Sequence, residues 1–221
     1  MNKSSIFLVG AKEQNKISKL PEFIYFDTSF WNEAVGISNS NYRRECKEFI
    51  NYILENNSVI CTSNLVLGEM DHIVGNAFIM QRANSKGISI PRYGGNGSIN
   101  MKVLQDKLME GDSDFIKDYK AQLMEIKNVI KSKSIFLDYD ADEGFDDKAF
   151  HIRELTDFKL GDKDSQHATI CHNNNINSIA TKDGDFWTLD NFNVFTIPKQ
   201  EFKIKSIDRA NVFLEFDEKK Y

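Results

Sequence analysis

Phe23–Phe26 (FIYF) is apolar at four consecutive positions. A strand with one wet face alternates apolar and polar residues, so an unbroken run belongs to a strand covered on both faces. Ser58–Thr62 (SVICT) and Ile176–Thr181 (INSIAT) read as two further short buried strands. Between the first two, Tyr42, Cys46, Phe49, Ile50, Ile53 and Leu54 recur at helical spacing, with Arg43, Arg44, Lys47 and Glu48 between them. That is an amphipathic helix ending near Asn56 and Asn57. After the second strand, Ser63 is placed to cap a helix carrying Leu65, Val66, Glu69, Met70, Ile73 and Ala77. Strand, helix, strand, helix implies an α/β fold whose parallel sheet is joined by right-handed crossovers.

The middle of the chain departs from this rhythm. Residues 84–100 hold four glycines and a proline and read as an exposed, mobile loop. Helices follow over Met101–Met109 and Ser113–Lys131, with Leu104, Leu108, Phe115, Tyr119, Leu123, Ile126 and Ile130 as their apolar stripe. Ile135–Leu137 reads as a short strand or a turn, and Ala149–Leu155 as a short helix. The helical pattern around Ala168, Ile170 and Cys171 is broken at Asn173–Asn175, and Val194–Ile197 reads as the last core strand. Ile6–Val9 suggests an extra strand at the start. Phe202, Ile204 and Ile207 suggest an edge strand or hairpin in the tail. At 221 residues the chain suits one domain, 1–221, with a loop and helical insertion at about 81–134.

Acidic residues fall at the ends of these elements. Asp27 directly follows the first strand, where it is either a helix cap or a site residue. Asp164 stands near the start of a helix. Asp183 and Asp185 lie just past the strand at Ile176–Thr181. Glu69 sits on a helix stripe between Leu65, Val66 and Ile73, where an ionised carboxylate needs a partner. In an open α/β sheet, ligands gather outside the carboxyl ends of the strands. Several carboxylates in one crevice are costly to keep ionised unless a cation neutralises them. An all-oxygen set suits Mg²⁺ or Mn²⁺. Such an ion makes a nucleophile of its bound water and stabilises charge on a phosphoryl oxygen. With no Cys–His or Ser–His arrangement in the sequence, hydrolysis of a phosphodiester is the chemistry these residues suit.

Composition bounds the rest. Hydrophobic content of 41%, with 12% aromatics, argues for a folded globule. A net charge of −5 argues against coating nucleic acid by charge alone, though a bound divalent cation reverses the sign locally. Cys46, Cys61 and Cys171 are an odd, scattered set. They read as small buried hydrophobes in a reducing compartment. No stretch reaches the roughly 20 apolar residues of a membrane span, so the expected setting is cytoplasmic.

Four segments together resemble the PIN-domain ribonucleases, in particular the VapC-like toxin branch. They are FIYFDTSFW (23–31), SVICTSNLVLGEM (58–70), KLGDKDSQHATI (159–170) and NSIATKDGDF (177–186). The resemblance implies a three-layer α/β/α domain with a central parallel sheet and an acidic pocket. It implies divalent-metal-dependent RNA cleavage, with Asp27, Glu69, Asp164 and Asp183 as catalytic acids and Asp185 beside them as a further metal ligand. Thr28, Ser29, Ser63, Asp162, His167 and Thr181 are candidates for substrate contact or for supporting the acids. RNA is the implied substrate, and the toxin branch brings with it a protein antitoxin and a homodimer as partners to consider. The resemblance does not extend over about 81–134. A DNA nuclease and a non-catalytic RNA-binding scaffold are the alternatives.

Other motifs are set aside. Asp138, Asp140 and Asp142 match the first positions of a calcium loop, but Glu143 replaces its turn glycine and Ala149 its bidentate glutamate. The segment reads instead as a solvated acidic loop. Gly94–Gly97 lacks the lysine of a phosphate loop. Arg82, Arg92 and Arg153 are the candidates for phosphate contact.

Overall fold

The computed structural model describes residues 5–9, 20–37, 42–90, 92–93, 98–197 and 211–212. Two compact units divide the chain. The first comprises Met1–Val66 with Lys133–Tyr221, and the second Leu67–Ser132. The boundary falls earlier than the expected insertion at Gln81. It cuts a long helix after its first turn.

The first unit is α/β. Among the described residues its sheet contains seven strands, every pair of them parallel: β1 (Ser5–Leu8), β2 (Phe23–Phe26), β3 (Val59–Ser63), β6 (Ile135–Leu137), β7 (Ser178–Ala180), β8 (Asn193–Thr196) and β9 (Asn211–Val212). Strands β4 (Arg92–Tyr93) and β5 (Ser98–Ile99) belong to the second unit. The spatial order is β6-β3-β2-β7-β8-β1-β9. The strand expected at Ile6–Val9 is present as β1. The tail contributes β9, and Phe202, Ile204 and Ile207 lie outside the described residues.

Helices cover both faces, giving the expected three-layer α/β/α arrangement. Phe26 packs beside Phe30 and Trp31 of α1 (Thr28–Val35) and Phe49 of α2 (Arg43–Glu55), with ring centroids 4.7, 5.3 and 6.3 Å away. Phe49 also lies 5.3 Å from Phe195 of β8, so one aromatic cluster ties two helices to two strands. The neighbouring side chain, Tyr25, points to the opposite face, as strand alternation requires. There it meets His167 of α7 (Asp162–Asn173), which packs with α6 (Glu143–Leu155). Burial on both faces explains why FIYF carries no polar alternation.

Two local expectations change. Helix α1 is not evident in the sequence because its buried set, Thr28, Phe30, Trp31, Glu33 and Ala34, is not a clean apolar stripe. The acidic run at 138–147 is not all loop. Asp142 caps α6, its Oδ1 accepting the Phe145 N–H at 2.8 Å, and Glu143 and Asp146 occupy the first turn, where the helix dipole favours acids.

The second unit contains most of α3 (Asn64–Ser85), α4 (Met101–Gly111) and α5 (Phe115–Lys133, its last residue excepted). Its core joins Phe78, Ile79, Ala83, Leu104, Leu108 and Phe115, with Tyr119 packed against it. Residues 84–100 are not simply a loop: α3 runs to Ser85, and β4 (Arg92–Tyr93) pairs antiparallel with β5 (Ser98–Ile99). Arg82 is not available to a phosphate. Its guanidinium pairs with Asp112 at 2.5 Å and Asp118 at 3.2 Å.

The aromatic cluster should dominate the stability of the first unit, which contains both tryptophans, Trp31 and Trp187. Phe49→Ala should cost about 3–5 kcal/mol, as expected for truncating a fully buried phenylalanine. Urea denaturation followed by tryptophan fluorescence measures it.

Candidate functional site

The strand order places β2 and β7 side by side, and the chain leaves them in opposite directions. From β2 it crosses to β3, and from β7 it crosses to β8. This is a topological switch point, where the carboxyl ends of two neighbouring strands open a crevice. Asp27 follows β2, and Thr181–Asp185 follow β7. The ladder continues one step beyond the strands: the Asp27 N–H donates to the Ala180 carbonyl at 3.1 Å, and the Thr181 N–H to Phe195 at 2.9 Å.

Asp27 is buried, with 3% of its surface exposed. It caps α1 through Oδ1, which accepts the Phe30 N–H at 2.8 Å. The Ser29 hydroxyl donates to both carboxylate oxygens at 2.9 Å, and the Thr181 hydroxyl donates to Oδ2 at 2.6 Å. The cap expected as one reading of Asp27 is present. Burial raises its pKa, outweighing the nearby His167 and the hydrogen bonds from Thr181, Phe30 and Ser29, all of which lower it.

Ser29 and Thr181 also hold the loop after β7. Ser29 Oγ accepts the Lys182 N–H at 2.7 Å, and Thr181 Oγ1 accepts the Asp183 N–H at 2.9 Å. Asp183 Oδ1 in turn accepts the Asp185 N–H at 2.9 Å, starting the short 3₁₀ helix Gly184–Thr188. Lys182 Nζ reaches Glu33 Oε1 at 2.7 Å, where Glu33 is 2% exposed on α1. The loop carrying Asp183 and Asp185 is thus fastened to β2 and α1 at three places.

Asp164 comes from the first turn of α7. Gly161 precedes that helix, and a Cβ there would stand 3.2 Å from Asp164 Oδ2, so the small residue leaves the carboxylate its room. Burial, then the charges of Asp183 and Asp27, push the Asp164 carboxyl up to about 6. Asp185 adds to the rise and His167 opposes it. Three carboxylates of the first unit, Asp27, Asp183 and Asp185, therefore act on Asp164.

No protein-family model matches this chain, and no curated protein does either.

The remaining expected residues fall in several places. Glu69 stands half-buried on α3, in the second unit. Thr28 is buried at the start of α1. Ser63 ends β3, and its hydroxyl engages the Tyr25 hydroxyl at 2.8 Å. His167 is buried, with Nδ1 2.8 Å from the same Tyr25 hydroxyl. Asp162 is exposed and pairs with Arg153. Among the described residues, no group of three or more His, Cys, Asp or Glu side chains is placed to hold a metal ion. The cysteines are buried and free, and burial, with Glu33 adding, pushes Cys46 up to about 12.

Sequence reading missed Tyr25, Glu33 and Lys182. A tyrosine in a strand buried on both faces must find a partner for its hydroxyl, and a glutamate among Trp31, Ala34 and Val35 must find a cation. Those were the available signals.

The Asp164 shift makes a prediction with a definite sign. The folded protein holds this proton to about pH 6, whereas the ordinary carboxyl releases it near 3.8. The stabilisation is fully present below the lower value and is lost as pH rises through about 6. In chelator, Asp164→Asn should therefore gain stability relative to the parent protein from about pH 4 to about pH 7. The expected gain is about 1–2 kcal/mol, after allowing for solvent screening of a partly exposed group. Urea midpoints across that pH range measure it.

Proposed function

We propose that this chain is a divalent-metal-dependent endoribonuclease that hydrolyses RNA phosphodiester bonds, in keeping with the PIN-domain resemblance. One observation carries the reading: Asp27, Asp164, Asp183 and Asp185 converge at the switch point, and their repulsion, added to burial, raises the Asp164 pKa to about 6. A fold with no use for this crevice would gain by replacing Asp164 with an amide.

The donor set fits Mg²⁺ or Mn²⁺. It is all carboxylate oxygen, and its mutual repulsion is the kind a cation relieves. Asp164, Asp183 and Asp185 would hold it, with Asp27 behind them, and Glu69 joins this set through the resemblance alone. When bound, the ion supplies an activated water and charge stabilisation at the phosphoryl group.

The chain's own residues do the positioning. Ser29, Thr181 and the Phe30 N–H fix both oxygens of Asp27, so this carboxylate does not rotate when charge arrives. The Lys182–Glu33 pair and the Ser29–Lys182 hydrogen bond hold Asp183 and Asp185 at the mouth of the crevice. The Asp164 carboxyl, pushed up to about 6, suits accepting a proton at its carboxylate from an attacking water. Tyr25 and His167 brace the floor from below without facing solvent.

Purified protein should melt at a higher temperature in Mn²⁺ than in chelator, because an ion that binds only the native state raises its stability by mass action. It should cleave single-stranded RNA in Mn²⁺ and not in chelator. Asp164→Asn should lose most of both responses, with activity falling at least about 100-fold. Cleavage of DNA in place of RNA would move the assignment to a DNA nuclease. Equal cleavage in chelator, with no metal-dependent melting shift, would refute it.

A further inference from the structure

Three large apolar side chains stand exposed on and just after α6. Phe150 and Leu155 lie on α6, and Phe158 lies just after it, with 50%, 68% and 55% of their surfaces exposed. The Phe150 and Phe158 rings meet edge to face, centroids 5.8 Å apart and planes at 69°. The Arg153 guanidinium lies over the Phe158 ring, its Cζ 5.5 Å from the centroid, and pairs with Asp162 at the start of α7. One arginine thus connects the exposed rings to the helix turn that bears Asp164.

The backbone of this corner is held against its preferences. Asp157 and Phe158 both have left-handed conformations, with φ of 53° and 56°. The Phe158 N–H closes the end of α6 on the Arg153 carbonyl at 2.7 Å. Glycine or asparagine normally ends a helix this way, and a bulky aromatic there is uncommon. The fold thus carries a strained residue whose ring it leaves half in water. Strain of this kind concentrates where function requires it.

We propose that Phe158, with Phe150 and Arg153, is a stacking platform for an unpaired base of the nucleic-acid strand engaged at the acidic crevice. This rests on the nuclease reading and deepens it by naming how the strand is gripped. An exposed aromatic face beside an arginine is the chemistry by which single strands are held, the ring taking the base and the cation the backbone. A protein partner fits less well. The patch has three apolar side chains ringed by exposed Asp147, Lys148, His151, Glu154, Asp157 and Lys159, whereas a stable protein interface needs about 20–30 residues on each side.

The test is fluorescence anisotropy in chelator, where binding is read without cleavage. The probes are a labelled single-stranded oligouridine, its DNA counterpart, and the RNA strand with abasic sites. Phe158→Gly relieves the left-handed strain, so it should melt at the same or a higher temperature than the parent protein. It should nevertheless bind the intact strands about 5- to 150-fold more weakly, the loss of one stacked base. Phe158→Tyr should retain binding, Phe150→Ala should weaken it, and the parent protein should bind the abasic strand as weakly as Phe158→Gly binds the intact one. Whichever of RNA and DNA binds more tightly identifies the source of the base.

The proposal is overturned if Phe158→Gly binds like the parent protein, or if the parent protein binds neither strand. It is equally overturned if sedimentation shows a dimer that Phe158→Gly disperses while strand binding is unchanged, which would make the patch a self-interface. Manganese-dependent cleavage, measured on the same parent protein, separates the two claims. Cleavage without a Phe158 effect removes the platform alone, whereas a Phe158 effect on binding without cleavage removes the nuclease reading alone.

Discussion

A carboxylate taken out of water must recover its lost hydration from fixed donors, or give up its charge. Asp27 recovers it from the Phe30 N–H, the Ser29 hydroxyl and the Thr181 hydroxyl, and still has a raised pKa because burial outweighs them. These three contacts come from the helix that follows β2 and from the loop that follows β7. Asp27 therefore starts a helix and joins two strand ends. It also fixes where Asp183 and Asp185 stand, because Ser29 and Thr181 accept the backbone N–H groups of Lys182 and Asp183. Asn at position 27 would keep the size of the side chain but put a donor where two hydroxyls now donate.

The opposite face of β2 supports the crevice by different means. Phe26 is locked among Phe30, Trp31 and Phe49, while Tyr25 points the other way and joins Ser63 to His167. A four-residue strand thus carries an aromatic anchor on one side, a polar bridge on the other and the acid at its end. Asp164 approaches from the Tyr25 side on α7, so the charges meet over the strand ends without either helix layer having to move.

Features that depend on local periodicity or on one residue's chemistry were legible in the sequence. The FIYF run, the α2 pattern from Cys46 to Ile53, the break at Asn173–Asn175 and the acids after strand ends all appear in the fold where they were read. Features that depend on distant partners were not. Tyr25 and His167 are 142 residues apart in the chain, and nothing local announces their hydrogen bond. Helix α1 was hidden because buried Glu33 interrupts its apolar pattern, and the reason for that burial, Lys182, is 149 residues away. The antiparallel pairing of Arg92–Tyr93 with Ser98–Ile99 was hidden by glycines, which mark turns without saying whether strands flank them.

The central claim is that the four aspartates at the ends of β2 and β7 and the start of α7 are a place for a divalent cation. Anomalous diffraction at the manganese edge, from crystals soaked in Mn²⁺, addresses it most directly. The account predicts a manganese peak within coordination distance of at least one of Asp164, Asp183 and Asp185, beside Asp27, with waters completing the shell. Well-ordered carboxylates in the soaked crystals with no peak among them, or manganese bound only elsewhere on the protein, would contradict it.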